Sequence, residues 1–289
     1  AWLTLWLAYK FRPLTARLSD SAERYREAVE PIRRAILWGG PLLIGAFVGA
    51  TAATKWPVVL QFLNKTPFGS TDPQFNLDLS FYVYDVPFWL FVVGIVETAL
   101  VVAFLVTVVT GFLYGGFQIA GRQVVVSRAL RIQASVIAVA YLAVLAVQFW
   151  FKQFETLVTP SQGFVATGAG YTEVNVDIPG YQILAGIAAV VIVFFAVTAV
   201  TGRWRLPIVG TAMLIVSMLV LGGVSWVVQR FQVDPSARTL ESEYIQRNID
   251  GTRAGFGLSD INEVEYTATT TAEPGALRAS GPKVWRSAA

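Results

Sequence analysis

Cysteine and histidine are both absent from this 289-residue chain. Without them there can be no disulfide, thiol nucleophile, Cys/His zinc site or haem held through imidazole, and no catalytic dyad or triad built on histidine. Charge is scarce as well: Asp, Glu, Lys and Arg make up 14% of residues, against about 25% in an ordinary soluble domain. The shortage is uneven. Long stretches carry no basic residue and the charges crowd between them, the pattern of a chain whose solvent is a bilayer. Phosphate-binding Gly-Lys-Ser/Thr, His-Glu-x-x-His, Gly-x-Ser-x-Gly and dinucleotide glycine clusters are also missing. No enzymatic activity, cofactor or metal is expected on these grounds. The net charge of +3 is explained by loop topology rather than by nucleic acid.

What is present is apolar: 55% of residues are hydrophobic and the mean hydropathy is +0.56. A spanning helix needs roughly 20 mostly apolar residues. Five segments meet that length: 35–53, 87–113, 134–151, 180–201 and 207–228, none with a Lys or Arg. Residues 1–9 are too short and read as the end of a truncated helix. The expected fold is all-α: a polytopic transmembrane bundle over 35–228, with five complete spans plus the truncated first one. Gly39, Gly40 and Pro41 should bend or break the first turns of span 35–53. Asp85 before Pro87 and Asp177 before Pro179 read as helix starts, since proline in a first turn costs little and an acid suits the helix N-terminus.

The basic residues set the orientation. Segment 10–34 holds Lys10, Arg12, Arg17, Arg24, Arg26, Arg33 and Arg34; loop 114–133 holds Arg122, Arg128 and Arg131; turn 202–206 holds Arg203 and Arg205. The alternate loops have only Lys55, Lys65 and Lys152. The expectation is a plasma-membrane protein with 10–34, 114–133 and 202–206 cytoplasmic and 229–289 extracytoplasmic. Segment 14–34 spaces its apolar residues as an amphipathic helix, with Asp20 and Glu23 placed as a capping box. It reads as an interfacial anchor, with binding of anionic lipids or a partner as the sharper alternative.

Loop 64–86 is unusual for a connector. It mixes turn residues with aromatics and carries Asp72, Asp78 and Asp85, whose spacing is too sparse for a calcium loop. Turn and helix capping is the plain reading of these aspartates, and a binding surface the sharper one. Leu77, Leu79, Phe81 and Val83 alternate as an extended stretch buried on one side would. After Gln229 the chain turns polar. Asp234-Pro235 starts a helix whose face includes Leu240, Tyr244, Asn248 and Phe256, with Glu243 and Arg247 paired four apart and Gly255 and Gly257 ending it. Residues 229–289 read as the start of a larger outer domain.

One ionisable group, Glu97, falls inside a span. A charged carboxylate at the bilayer centre costs at least about 2.5–3.5 kcal/mol, so it must face the bundle and be protonated or hydrogen-bonded. Tyr141, Gln148 and Ser217 are the candidate partners. A proton- or cation-binding step in a transporter is one reading; a neutral hydrogen bond between helices is the other. Gly45 and Gly49, and Gly111 and Gly115, form small-xxx-small ridges that signal close helix packing, within the chain or between copies.

The run Thr-Asp-Pro-Gln-Phe-Asn-Leu-Asp-Leu-Ser-Phe-Tyr-Val-Tyr-Asp-Val-Pro-Phe at 71–88 and the run Glu-Tyr-Ile-Gln-Arg-Asn-Ile-Asp-Gly-Thr-Arg-Ala-Gly-Phe-Gly-Leu at 243–258 resemble the bacterial integral membrane proteins of uncharacterised protein family 0182, of actinobacterial and cyanobacterial type. The similarity runs from Lys10 to about Pro274. It implies a longer protein, with about seven spans followed by a large extracytoplasmic region, and makes Tyr244, Arg247, Asn248 and Arg253 family-like positions. It brings no catalytic residue with it. The leading expectation is a membrane anchor or scaffold presenting an envelope domain, with a homo-oligomer or envelope proteins as partners. A transporter or lipid-handling component using Glu97 is the alternative.

Overall fold

A computed structural model describes residues 33–113, 117–120, 123–161, 167–202 and 204–259, with Pro31, Gly163 and Ile261 besides. Segment 1–30, with the expected truncated helix at 1–9 and the Asp20/Glu23 capping box, and the whole tail beyond 261 lie outside the described residues. The described chain falls into two compact units, one up to Asn248 and one from Ile249.

The architecture is helical. α1 (Arg33–Ala53) and α2 (Trp56–Leu63) lead to α3 (Val86–Leu113), the strands β1 (Phe117–Ala120) and β2 (Gln123–Val126), α4 (Arg128–Glu155), α5 (Ile178–Thr201) and α6 (Arg205–Val227). The short α7 (Ala237–Leu240) and then α8 (Ser242–Gly255) follow. Four helical segments are long and apolar enough to cross a membrane: Phe81–Phe112, Arg128–Glu155, Glu173–Thr201 and Arg205–Leu240. α1 and α2 pass the same test only as a pair, bent by 58°.

That bend corrects one expectation. α1 runs unbroken through Gly39, Gly40 and Pro41, and the break falls at Thr54 and Lys55 instead. Pro57 suits the break: α2 restarts with this proline in its first turn, where the missing N–H would have had no helical partner.

A second correction concerns helix starts. Asp85 and Asp177 stand immediately ahead of α3 and α5, as expected, but the chain is already helical there, in wide π turns at Phe81–Asp85 and Glu173–Asp177, and Asp177 makes no side-chain cap. A third π turn, Val228–Val233, runs up to Asp234. Each is followed within two residues by a proline: Pro87, Pro179 and Pro235. Proline has no N–H to give and crowds the carbonyl of residue i−4, and a turn with i→i−5 bonds relieves both. The N–H of Val86 accordingly reaches Phe81 O, that of Ile178 reaches Glu173 O and that of Asp234 reaches Gln229 O. The alternation Leu77, Leu79, Phe81, Val83 is therefore not an extended stretch. Its second half is helical, with Tyr82 buried and Val83 exposed.

The long helices pack in sequence order: α3 on α4, α4 on α5, α5 on α6. The shared core is Leu142 and Phe149 of α4, Leu184, Ala188 and Val191 of α5, and Leu214 of α6. Close approach is set at Gly180 and Gly210; Gly115 of the Gly111/Gly115 ridge lies outside the described residues. A Cβ on Gly180 would fall 2.1 Å from Leu221 Cδ1, and one on Gly210 would fall 2.9 Å from Phe194. Gly45 and Gly49 face open space, so that ridge marks no contact within the described chain. β1 and β2 form an antiparallel hairpin, Phe117 opposite Val126 and Ala120 opposite Gln123, in a loop where no strand was expected. Gly202, at φ +74°, ends α5 in the left-handed conformation, with the Arg131 guanidinium folded over it. A cation suits the negative end of that helix dipole.

Candidate functional site

Polar side chains gather in two places: halfway along α3, and at the end of the bundle where the π turns lie. Midway along α3, Glu97 is half-buried against α4. The Tyr141 hydroxyl donates to Glu97 Oε1 at 3.2 Å and the Gln148 amide donates to Oε2 at 3.4 Å. Tyr141 and Gln148 are two helical turns apart on one face of α4, so they bracket the carboxylate from either side. Ser217 does not join them: it lies on α6, whose neighbour is α5, while Glu97 faces α4. The arrangement satisfies both carboxylate oxygens with uncharged donors. That suits a hydrogen bond between helices, and it suits equally a carboxyl group that takes up and loses a proton.

At the π-turn end, loop 64–80 is organised around its aspartates. Asp72 Oδ1 accepts from the N–H groups of Gln74 and Phe75, both at 2.7 Å. Its Oδ2 accepts from Leu77 N–H at 3.0 Å and from the Tyr82 hydroxyl at 2.7 Å. Asp78 accepts from Phe68, Gly69 and Ser80 N–H. The hydrogen bonds from Ser80, with those from Phe68 and Gly69, hold its carboxyl at about 2, well below the usual range. Asp85 pairs with Lys65 at 2.7 Å. The three aspartates thus have separate duties and do not converge. Among the described residues no group of three acids is placed to hold a metal. Phe75 and Phe81 of the same loop pack on Phe154 of α4, with ring centroids 4.9 and 5.2 Å away.

Beside this loop lies a cluster that sequence reasoning did not single out. Glu241, between α7 and α8, is fully buried, and Glu173, in the π turn before α5, is 5% exposed. Glu173 Oε1 accepts from the Ser161 hydroxyl at 3.1 Å and its Oε2 from Gly170 N–H at 3.0 Å. Glu241 Oε1 accepts from Tyr171 N–H at 3.1 Å, whereas its Oε2 has no hydrogen-bond partner. Burial pushes the Glu241 carboxyl up; the Tyr171 N–H opposes this and the charge of Glu173 adds to it. Next to the pair, Thr172 donates to Gln229 Oε1 at 2.6 Å, and Gln229 donates to Asp234 at 2.9 Å. A buried glutamate carries no sequence mark of its own. The one cue was the glycine density of the facing loop, where Gly163 and Gly170 leave room that any Cβ would fill.

The family-like helix completes this end. Tyr244 accepts from the Asn175 amide at 3.2 Å and meets Tyr171 edge-on. Arg247 lies over the Tyr244 ring, pairs with Glu243 and donates to Gln74 Oε1 at 3.2 Å. Asn248 donates to the Thr167 carbonyl at 2.9 Å. Arg253 lies further along α8, in the second compact unit, where its carbonyl accepts from Leu258 N–H. Three stretches far apart in sequence, 70–85, 167–177 and 229–248, are thereby laced into one platform.

Comparison with known proteins identifies the family of the chain. The family model described as Uncharacterised protein family (UPF0182) matches residues 1–284, wider than the stretch from Lys10 to Pro274. A UPF0182 protein of Leifsonia xyli subsp. xyli is 45% identical over 278 residues, covering 96% of this chain and 28% of the relative. One of Clavibacter michiganensis subsp. michiganensis is 46% identical with the same coverage, and one of Tropheryma whipplei is 41% identical, covering 96% of this chain and 29% of the relative. The chain thus spans less than a third of the length of these curated relatives. No solved structure matches it. With the family model matching nearly from end to end, this chain belongs to the uncharacterised protein family UPF0182.

Proposed function

We propose that the chain is the membrane-embedded anchor and scaffold of a longer plasma-membrane protein, and that its laced end carries an extracytoplasmic region. The observation that carries this is the platform itself. Arg247, Asn248 and Glu241 tie the segment leading out of the last long helix to both loops of the same end. A simple connector would need no such anchoring, whereas a segment bearing a further domain gains a fixed exit direction from it. The apolar rows on α1 and on the outer faces of α3, α5 and α6 are exposed, with Phe47 at 77% and Val200 at 83%, which suits contact with lipid. In this reading the bent pair α1–α2 is a fifth span, and the basic loops place the hairpin and the Gly202 turn in the cytoplasm.

The absence of cysteine makes orientation directly testable. Single cysteines at Ser70, Gln162 and Ser242 should react with an impermeant maleimide added to intact cells, and ones at Ser19 or Gln123 should not. The reverse pattern overturns the assignment.

Glu97 supports a second reading, a transporter or lipid-handling component, because an ionisable group lies midway along a span with two polar partners. If a proton flux in reconstituted vesicles is lost in Glu97→Gln, anchoring is an insufficient account. The scaffold reading expects Glu97→Gln to assemble and function as the parent does.

A further inference from the structure

We propose that Glu241 and Glu173 form a binding site for a hard divalent cation, calcium above all, at the platform end of the bundle. The anchoring role does not require it, and it adds a ligand where none has been assigned.

Three observations converge. First, Glu241 Oε2 is buried and has no hydrogen-bond partner, although its residue is fully enclosed. A buried carboxylate oxygen left bare is costly, and such groups are normally paired or bound to a metal. Among the described residues no Lys or Arg forms an ion pair with Glu241.

Second, the two carboxylates close on one small space. From the point where a Cβ of Gly170 would stand, Glu241 Oε2 is 2.8 Å away, and Glu241 Oε1 and Glu173 Oε2 are each 3.1 Å away. The Cβ point of Gly163 is 3.2 Å from Glu241 Oε1 and 3.6 Å from the Ser161 hydroxyl. The facing loop is thus built of residues that leave the oxygens room.

Third, the protein's own donors reach every carboxylate oxygen of the pair but one. Ser161 and Gly170 donate to Glu173, and Tyr171 donates to Glu241 Oε1. Of the four carboxylate oxygens, Glu241 Oε2 is the one that accepts from no donor, and it is the one left to meet a cation.

The donor set holds two carboxylates and one hydroxyl, all oxygen. Calcium takes six to eight oxygen ligands from a mixture of carboxylate, hydroxyl, carbonyl and water in loose geometry, so a two-carboxylate site completed by water fits its chemistry. Magnesium, which demands a tighter octahedron, fits less well. Zinc is disfavoured by the lack of nitrogen and sulfur ligands. Occupied, the site joins the segment after the last long helix to the π turn before α5 and to Ser161 and Gly170. Calcium would then stiffen the exit from the membrane.

The test uses the full-length protein in nanodiscs, with radioactive calcium binding and thermal unfolding measured in chelator, calcium and magnesium. The expected result is one saturable calcium per chain, with a dissociation constant of about 10⁻⁴–10⁻³ M as in other extracellular modules. Calcium should raise the melting temperature and magnesium should do so less. Glu241→Gln and Glu173→Gln should lose both effects, while Glu243→Gln, an exposed carboxylate two residues further on, keeps them. Absence of calcium binding to the unaltered protein overturns the proposal, whether or not the variants fold. So does a cation-independent stability that falls as pH rises and becomes pH-insensitive in Glu241→Gln, because the pair then shares a proton instead.

Discussion

Arg247 Nη1 donates to Gln74 Oε1 at 3.2 Å, joining two residues 173 positions apart in the chain. Each belongs to one of the two sequence runs that resemble the family, so the runs meet in space. The Arg247 guanidinium is also held by Glu243 and by the face of Tyr244, which fixes the fork before it reaches Gln74.

Removing this contact should loosen the loop without unfolding the bundle. Arg247→Ala is expected to speed amide exchange across 70–80 and leave α4 and α5 protected. A double-mutant cycle with Gln74→Ala should give a coupling of roughly 0.5–1.5 kcal/mol. Additivity of the two changes would deny the contact any energetic role.

At Glu97 the two oxygens and their two donors make isosteric and apolar replacements behave differently. Glu97→Gln keeps an acceptor and should cost less than about 1 kcal/mol in a detergent unfolding assay. Glu97→Leu strands the Tyr141 hydroxyl and the Gln148 amide and should cost roughly 1–3 kcal/mol. Equal stability of the two variants would mean that the hydrogen bonds do not hold α3 to α4.

Gly202 is constrained twice, by φ +74° and by Arg131, whose Nη1 lies 2.4 Å from where a Cβ would be. Gly202→Ala should therefore destabilise by more than the roughly 1 kcal/mol of an ordinary left-handed position. Arg131→Ala in the same background should recover part of the loss, as read by melting temperature.

Asp78 supplies a pH prediction. Its folded carboxyl titrates at about 2, below the ordinary value of 3.8. A depressed acid contributes stability that is complete above the unfolded value and is lost as pH falls through the folded one. The loop should hold its order at pH 4 and release it towards pH 2, followed by exchange of the Phe68 and Gly69 amides. Asp78→Asn should abolish that acid limb.

The apolar runs without Lys or Arg by themselves determined the helical class and the long membrane-length helices, because a bilayer imposes both length and composition on any segment that crosses it. Tyr141 and Gln148 could be named as partners of Glu97 because their seven-residue spacing already puts them on one face of a neighbouring span. Ser217 could not be rejected from sequence, since helix order within a bundle is a tertiary fact. Nor could the wide turns ahead of Pro87, Pro179 and Pro235 be foreseen: Asp-x-Pro at the first two and Asp-Pro at the third read equally as helix starts. Tertiary structure alone chose between entering a helix there and continuing one, by packing the preceding turn, with Tyr82, Thr172 and Gln229 buried, against the rest of that end. The Glu173 and Glu241 pair is the plainest case. The two residues are separated by α5 and α6, each is an unremarkable acid in its own segment, and only the folding back of the chain buries them side by side.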